Sequence, residues 1–199
     1  MNEQKKAANL RQLGPDERRR RLEEGLSLKR AAREQVDKEK KRQQGLETLA
    51  PVLSAIRERT GHDATVLDDY ASRIAWTWIG RNFPFPPPSS TCAWTWVPSS
   101  RTISAPDAET TVHALEELFR HVGAQEDHEV FVLWHSTFLP GLLMPLALCR
   151  SILPVLLTIW GQEMHLASPM GRWYIEFDPF FDEVHGGTAQ GEGSALYEL

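Results

Sequence analysis

Residues 129–135 read EVFVLWH, a continuous apolar run of strand length. Such runs are typical of strands that are covered on both faces, so we expect an interior strand here. Residues 172–179 read RWYIEFDP and follow the turn sequence PMG at 169–171. Their side chains alternate between two faces, which predicts a second long strand. Together the two stretches predict a β-sheet at the centre of the fold.

Several segments outside these two strands have apolar residues at helical spacing. Residues 46–56 carry apolar side chains at intervals of three and four, and they predict a helix that ends near Gly61. Residues 66–79 predict another helix, although 73–79 also fit a strand. Pro106 and Asp107 begin the clearest helix, and Gly123 ends it. Further segments are a strand at 92–100, a helix within 142–153 ended by Pro154, extended pieces at 155–160 and 164–168, and a short edge strand at 182–185.

This order predicts an α+β fold in which one mixed or antiparallel sheet is packed by helices. A charged, helical N-terminal arm precedes it. We expect three segments: a basic arm at 1–45 made of two polar helical pieces, a single domain at 46–186, and a flexible Gly-rich tail at 187–199.

Charge divides the chain at the same place. Residues 1–45 hold 14 basic and 8 acidic side chains, a net of +6, and include all six lysines. Residues 46–199 hold 8 basic and 19 acidic side chains, a net of −11. The second part is therefore an acidic, lysine-free body.

Two features bear on location. The chain has two cysteines and a polar beginning, so we expect a cytoplasmic protein without disulfides or a secretory signal. Residues 138–161 are apolar enough to suggest a membrane span, but Arg150 and three prolines interrupt them. We interpret them as buried core.

The basic arm allows two interpretations. Its acidic side chains alternate with basic ones, as in a solvated helix that frays without a partner. Alternatively, its basic clusters form an electrostatic contact for phosphate or an acidic protein, and the arm tethers a regulator to nucleic acid. The clusters are Arg18, Arg19, Arg20 and Arg21, and Lys38, Lys40, Lys41 and Arg42.

No catalytic or metal-binding motif is evident in the sequence. Spacings such as H-E-x-x-H and C-x-x-C do not occur, so no metal, cofactor or catalytic residue is expected. His135, Ser136, His165 and His185 lie near predicted strand ends and could converge only through the sheet order. A small hydrolase-like enzyme built on these four residues is the alternative function.

Tryptophan is abundant, with seven in the chain. Trp94 and Trp96 would point to one face of the predicted strand at 92–100. They either pack beneath the helices or form an exposed aromatic patch that a basic protein partner would bind.

The second half of the chain carries a recognisable series of features. A strand at 130–134 ends in Leu-Trp, Pro140 opens the next segment, WYIEF occupies 173–177, and VHGG occupies 184–187. Over about 60 residues this series resembles small bacterial immunity proteins of contact-dependent and polymorphic toxin systems.

The resemblance implies a stoichiometric, non-catalytic inhibitor that blocks a cationic toxin domain through an acidic surface. Acidic side chains would meet lysine and arginine of the toxin and accelerate association. The implied contact residues are Glu126, Asp127, Glu129, Asp178, Asp182 and Glu183.

Overall fold

The structure is a computed structural model. It describes residues 14–85, 92–136, 139–159 and 163–189, apart from the side chain of Arg18. The chain divides between Gln43 and Gln44 into two compact units. The helices are α1 Pro15–Thr60, α2 Asp69–Asn82, a 3₁₀ turn Trp94–Trp96, α3 Ala108–His121, α4 Leu146–Ser151 and α5 Leu153–Leu156. The strands are β1 Thr65–Val66, β2 Arg101–Ser104, β3 Glu129–Trp134, β4 Leu142–Pro145, β5 Met164–Ser168, β6 Trp173–Asp178 and β7 Glu183–Thr188.

The seven strands form one sheet in the order β1-β4-β3-β5-β6-β7-β2, and every neighbouring pair is antiparallel. The predicted α+β class is therefore confirmed. Of the two predicted sheet types, mixed and antiparallel, the structure has the antiparallel one. β3 is an interior strand, as its apolar run predicts. β7 is also interior, which corrects the prediction of an edge strand. The short, polar β2 takes that edge, and its sequence RTIS gave no strand pattern.

Both faces of the sheet are covered. On the α3 face, Val132 and Ile175 pack among α3, α4, α5 and residues 49–56 of α1. On the α2 face, Leu133 and Tyr174 pack beneath α2 and Trp94. Successive residues of β6 point to opposite faces of the sheet, and both faces are covered, so β6 is buried at every position.

The helices at residues 15–82 differ in part from expectation. One continuous helix, α1, replaces the two arm pieces and the separate helix at 46–56. Gly25 and Gly45 lie within it, because a glycine costs a helix only about 1 kcal/mol relative to alanine and does not end it. α1 stops before Gly61, whose φ of 72° suits a left-handed cap. Residues 73–79 are helical, and the Asp68 carboxylate caps α2 by accepting from the Ala71 N–H at 2.7 Å.

Predictions about the middle of the chain are confirmed only in part. Residues 94–96 form a 3₁₀ turn rather than a strand. The helix expected within 142–153 is present as α4, Leu146–Ser151, but residues 142–145 form β4 because they pair with β3. Pro154 does not end α4, which stops at Ser151, and lies instead in the first turn of α5. Val155 and Leu156 are helical rather than extended, whereas β5 and the turn at 169–172 follow the prediction.

The apolar segment at 138–161 is described over residues 139–159. It forms β4, α4 and α5, and it contributes Leu142, Cys149 and Leu153 to the buried core. In the part of the chain that the structure describes, no helix has both the length and the apolar character that crossing a bilayer requires.

The end of the domain also differs. β7 continues through Gly187 and Thr188, which the sequence assigned to a flexible tail. The rest of that tail, residues 190–199, lies outside the described residues.

Candidate functional site

A row of polar side chains crosses the α2 face of the sheet. His165 of β5 pairs with Glu176 of β6, Glu176 pairs with His185 of β7, and His185 pairs with Thr102 of β2. Side chains at paired positions of neighbouring strands share a face and lie about 5 Å apart. The register therefore lines up four polar residues on a face that is otherwise apolar.

Glu176 lies at the centre of this row and is 1 % exposed. Its Oε2 atom accepts hydrogen bonds from Trp94 Nε1 at 2.7 Å and from the Cys92 backbone N–H at 3.3 Å. Its Oε1 atom has no hydrogen-bond partner among the described residues. Burial raises the pKa of Glu176 to about 7, and the bonds from Trp94 and Cys92 oppose that rise.

His165 is fully buried beside it. Its Nδ1 atom lies 2.6 Å from the Tyr174 hydroxyl, and the Trp76 ring packs edge-on against the imidazole with 4.7 Å between centroids. Its Nε2 atom has no hydrogen-bond partner in the described part of the chain. Burial, helped by the neighbouring charge of His135, lowers the pKa of His165 to about 3, so the ring is neutral at physiological pH.

Glu163 connects this buried pair to the surface. Its Oε2 atom lies 2.9 Å from His135 Nδ1 and 3.9 Å from His165 Nε2. The His135 side chain is 51 % exposed and that of Glu163 only 12 %. One ligand atom from each of Glu163, His165 and Glu176 lies within 4.8 Å of the others. We call these three residues the Glu-His-Glu cluster.

The sheet thus brings together part of the alternative catalytic set. The rings of His135 and His165 are 6.3 Å apart. His185 lies on the same face beyond Glu176, where its Nδ1 is 2.8 Å from Thr102 Oγ1 and the Trp94 ring stacks on it. Ser136 is half-buried next to His135.

Sequence reasoning missed both glutamates of the cluster. Glu163 belongs to no motif, and Glu176 looks like an ordinary polar position of an alternating strand. Coverage of both faces of β6 would have identified Glu176, because a carboxylate buried in such a strand requires a partner.

The six acidic residues implied by the resemblance do not form one surface. Glu126, Asp127 and Glu129 lie at the end of the sheet where β3 begins. Asp178, Asp182 and Glu183 lie at the other end, because Trp134 at the far end of β3 aligns through Met164 with Phe177. Glu126 is also ion-paired with Arg150.

The second group belongs to the β6–β7 turn, residues 178–183, which we call the hairpin tip. Its Phe180 and Phe181 are 73 % and 74 % exposed. The Asp178 carboxylate accepts a hydrogen bond from the Phe180 N–H at 2.8 Å, and the Ala105 N–H donates to the Asp182 carbonyl at 2.7 Å. The sequence interpretation overlooked both phenylalanines.

The two candidate tryptophans have different environments. Trp94 is 7 % exposed and stacks on Tyr174, whereas Trp96 is 66 % exposed. The predicted common face does not exist, since a 3₁₀ turn rotates successive side chains by about 120°.

The basic clusters of the arm lie on α1. Arg19 pairs with Glu23, and Arg20 and Arg21 pair with Glu17, which lowers the pKa of Glu17 to about 2. The side chain of Arg18 lies outside the described set. The second cluster is solvent-exposed and consists of Lys38, Lys40, Lys41 and Arg42.

No family model matches the sequence, and no curated protein matches it. Function is therefore inferred from the side chains and their geometry.

Proposed function

We propose that this protein is a non-catalytic binding module that inhibits a basic protein partner, as an immunity protein inhibits its toxin. The observation that carries the proposal is the hairpin tip, where two adjacent phenylalanines are exposed between acidic residues. Exposed large aromatic side chains of this kind commonly provide the central contacts of protein interfaces.

The tip is ordered before a partner arrives. Asp178 fixes the turn from one side, and the backbone bond between Ala105 and Asp182 fixes it from the other. A contact loop that is already held in place loses less conformational entropy on binding than a free loop does. Phe180 and Phe181 are therefore suited to act as anchors.

Charge supports a basic partner. Residues 46–199 carry a net charge of −11 and no lysine. Asp182 and Glu183 flank the phenylalanines directly, so a cationic surface that approaches the tip is attracted by both the local and the overall field. Glu126, Asp127 and Glu129 lie at the opposite end of the sheet, so the proposed contact is centred on Asp178, Asp182 and Glu183.

The proposal places the protein in the cytoplasm of a bacterium that encodes the cognate toxin. Cys92 and Cys149 are both free and buried, which is compatible with a reducing compartment.

The test combines binding and protection. The full chain would be titrated with the protein encoded by the neighbouring reading frame, and cells expressing that protein would be scored for growth. We expect tight 1:1 binding and rescue, and the double variant Phe180→Ser/Phe181→Ser should bind at least about 100-fold more weakly, as hot-spot aromatics do. The control is Met170→Ser, since Met170 is 58 % exposed in the turn at the other end of β6. Absence of both binding and rescue by the unmodified chain would refute the proposal.

A second candidate function, a small hydrolase, is favoured by the proximity of His135 to Glu163 and His165. A histidine that acts as a general base is commonly oriented by a carboxylate, here that of Glu163. A panel of ester, peptide and phosphodiester substrates tests this candidate, because turnover that disappears in His135→Ala would establish an enzyme. His62→Ala is the matched control, since His62 is an exposed histidine at the end of α1.

A further inference from the structure

The Glu-His-Glu cluster contains two buried polar atoms without partners. Glu176 Oε1 and His165 Nε2 have no hydrogen bond among the described residues, and both side chains are almost completely excluded from solvent. Leaving such an atom unpaired is energetically costly, because it loses its hydrogen bonds to water and gains none from the protein. Because these two atoms lie close to a second carboxylate, that of Glu163, we infer that the cluster accommodates something besides protein.

The charges of the cluster point to a cation. It holds two carboxylates, Glu163 and Glu176, and among the described residues both form ion pairs only with histidines. No lysine occurs after residue 41. Buried carboxylates require a compensating positive charge, and one divalent ion balances two of them.

The ligand set and its spacing suit a transition metal. Glu163 Oε2 lies 3.9 Å from His165 Nε2, and one ligand atom from each of Glu163, His165 and Glu176 lies within 4.8 Å of the others. An ion with bonds of about 2.0 to 2.2 Å holds its donors about 3 to 4 Å apart, so small side-chain rotations suffice. One imidazole and two carboxylates are donors that Zn²⁺ accepts readily.

Neighbouring residues complete the site. The Tyr174 hydroxyl, 2.6 Å from His165 Nδ1, accepts a hydrogen bond from Nδ1–H in the tautomer that leaves Nε2 unprotonated as the metal ligand. His135 bonds to Glu163 on the solvent side and fixes that carboxylate. Since Glu163 and His135 are the partly exposed members, the ion enters past them.

We propose that Glu163, His165 and Glu176 form a binding site for one divalent transition-metal ion, with Zn²⁺ as the best fit. Tyr174 and His135 orient its ligands. The site lies on the α2 face of the sheet, and it is separate from the hairpin tip.

The test uses the full chain after treatment with EDTA and exchange into metal-free buffer. Zn²⁺, Mn²⁺ and Mg²⁺ are titrated separately by calorimetry. We expect one Zn²⁺ site and far weaker Mg²⁺ binding. Glu163→Gln should lose about 100-fold or more in Zn²⁺ affinity, since removal of even an outer partner of a ligand costs 10- to 100-fold.

Glu183→Gln is the matched control. Glu183 Oε2 lies 3.3 Å from His185 Nε2, so this substitution also breaks a Glu–His pair, but outside the cluster. Its Zn²⁺ affinity should equal that of the unmodified chain. Equal losses in both variants, or no loss in Glu163→Gln, would place the ion elsewhere and overturn the proposal.

Cobalt provides a readout that does not depend on any variant. Trp76 and Trp94 contact His165 and Glu176, so Co²⁺ in the cluster should quench tryptophan fluorescence and show visible absorption bands at one equivalent. Failure of the unmodified chain to bind either Zn²⁺ or Co²⁺ would overturn the proposal.

Discussion

His165 and Glu176 face each other across β5 and β6, with 3.8 Å between His165 Nδ1 and Glu176 Oε1 and almost no access to solvent for either side chain. Burial acts on the two groups in opposite directions. It favours the uncharged form of each, so the pKa of the carboxyl rises and that of the imidazole falls. In the metal-free protein, burial therefore favours the uncharged forms of His165 and Glu176.

The stability of the metal-free protein should depend on pH through Glu176. Burial raises its pKa to about 7 in the folded chain from the ordinary value of 4.5, with smaller contributions from the charges of Glu163 and Asp178. Between these values the unfolded state releases the proton first, so the free energy of unfolding falls as pH rises, by up to about 3 kcal/mol. The contribution is complete below pH 4.5 and is lost as pH passes 7.

Glu176→Gln tests this dependence. In urea denaturation with EDTA, the variant should gain stability relative to the unmodified chain by about 2 kcal/mol between pH 5 and pH 8. Comparing the two proteins cancels the opposite contribution of His165, whose lowered pKa reduces stability as pH falls from 6.5 toward 3. A difference that stays constant with pH would show that Glu176 titrates normally.

The Tyr174 hydroxyl should contribute measurably to stability. Tyr174 is fully buried, and its hydroxyl satisfies His165 Nδ1 at 2.6 Å. Tyr174→Phe leaves that nitrogen unpaired, so we expect a loss of about 1 to 3 kcal/mol in urea denaturation. Tyr70→Phe is the control, because Tyr70 is 65 % exposed, and it should change the free energy of unfolding by less than about 0.5 kcal/mol.

Side-chain periodicity was sufficient to predict the α+β class, the interior strand β3, the alternation in β6 and the helix α3. These elements follow from side-chain patterns of strand or helix period, which act locally. Strand order and register do not follow from such local patterns, and the Glu-His-Glu cluster depends on them. His165 and Glu176 are 11 positions apart and become neighbours only through the β5–β6 register.

Gly186 and Gly187 illustrate the same limit. The sequence places Gly186 at the very end of the predicted domain and Gly187 in the predicted flexible tail, yet both lie inside β7 beneath packed side chains. A Cβ added at Gly186 would lie 3.1 Å from Ile175 Cγ1 and 3.2 Å from Leu118 Cδ2. Glycine is required there by the close approach of α3 to the sheet, a tertiary constraint that the local sequence does not express.

Gly186→Ala should therefore destabilise the fold. The added methyl group requires the buried side chains of Ile175 and Leu118 to shift by a few tenths of an ångström, and overpacking of this kind costs about 1 to 3 kcal/mol. Gly80→Ala provides the contrast, because nothing lies within 4 Å of the Cβ position at this exposed site in α2. That variant should gain about 0.5 to 1 kcal/mol. Thermal and urea denaturation measure both changes, and equal effects at the two sites would contradict the packing argument.

The arm should bind duplex DNA weakly at physiological salt. Arg19, Arg20 and Arg21 are engaged by acidic residues of the same helix, and the whole chain carries a net charge of −5. The exposed Lys38–Arg42 cluster remains as the source of affinity for phosphate, and a few such contacts give non-specific dissociation constants of about 10⁻⁴ to 10⁻⁶ M. We expect anisotropy titrations with a 20-base-pair duplex to show only such weak binding at 150 mM salt.

The quadruple variant Lys38→Gln/Lys40→Gln/Lys41→Gln/Arg42→Gln separates the two interpretations of the arm. If the arm is only a solvated helix, the variant should bind the protein partner with unchanged affinity and protect cells as well as the unmodified chain does. Suppose instead that the unmodified chain binds DNA tightly, with log K falling steeply against log salt, and that the variant loses this binding and a salt slope of about 3 to 4. The arm would then tether the protein to nucleic acid, and the binding-module proposal would have to include that second ligand.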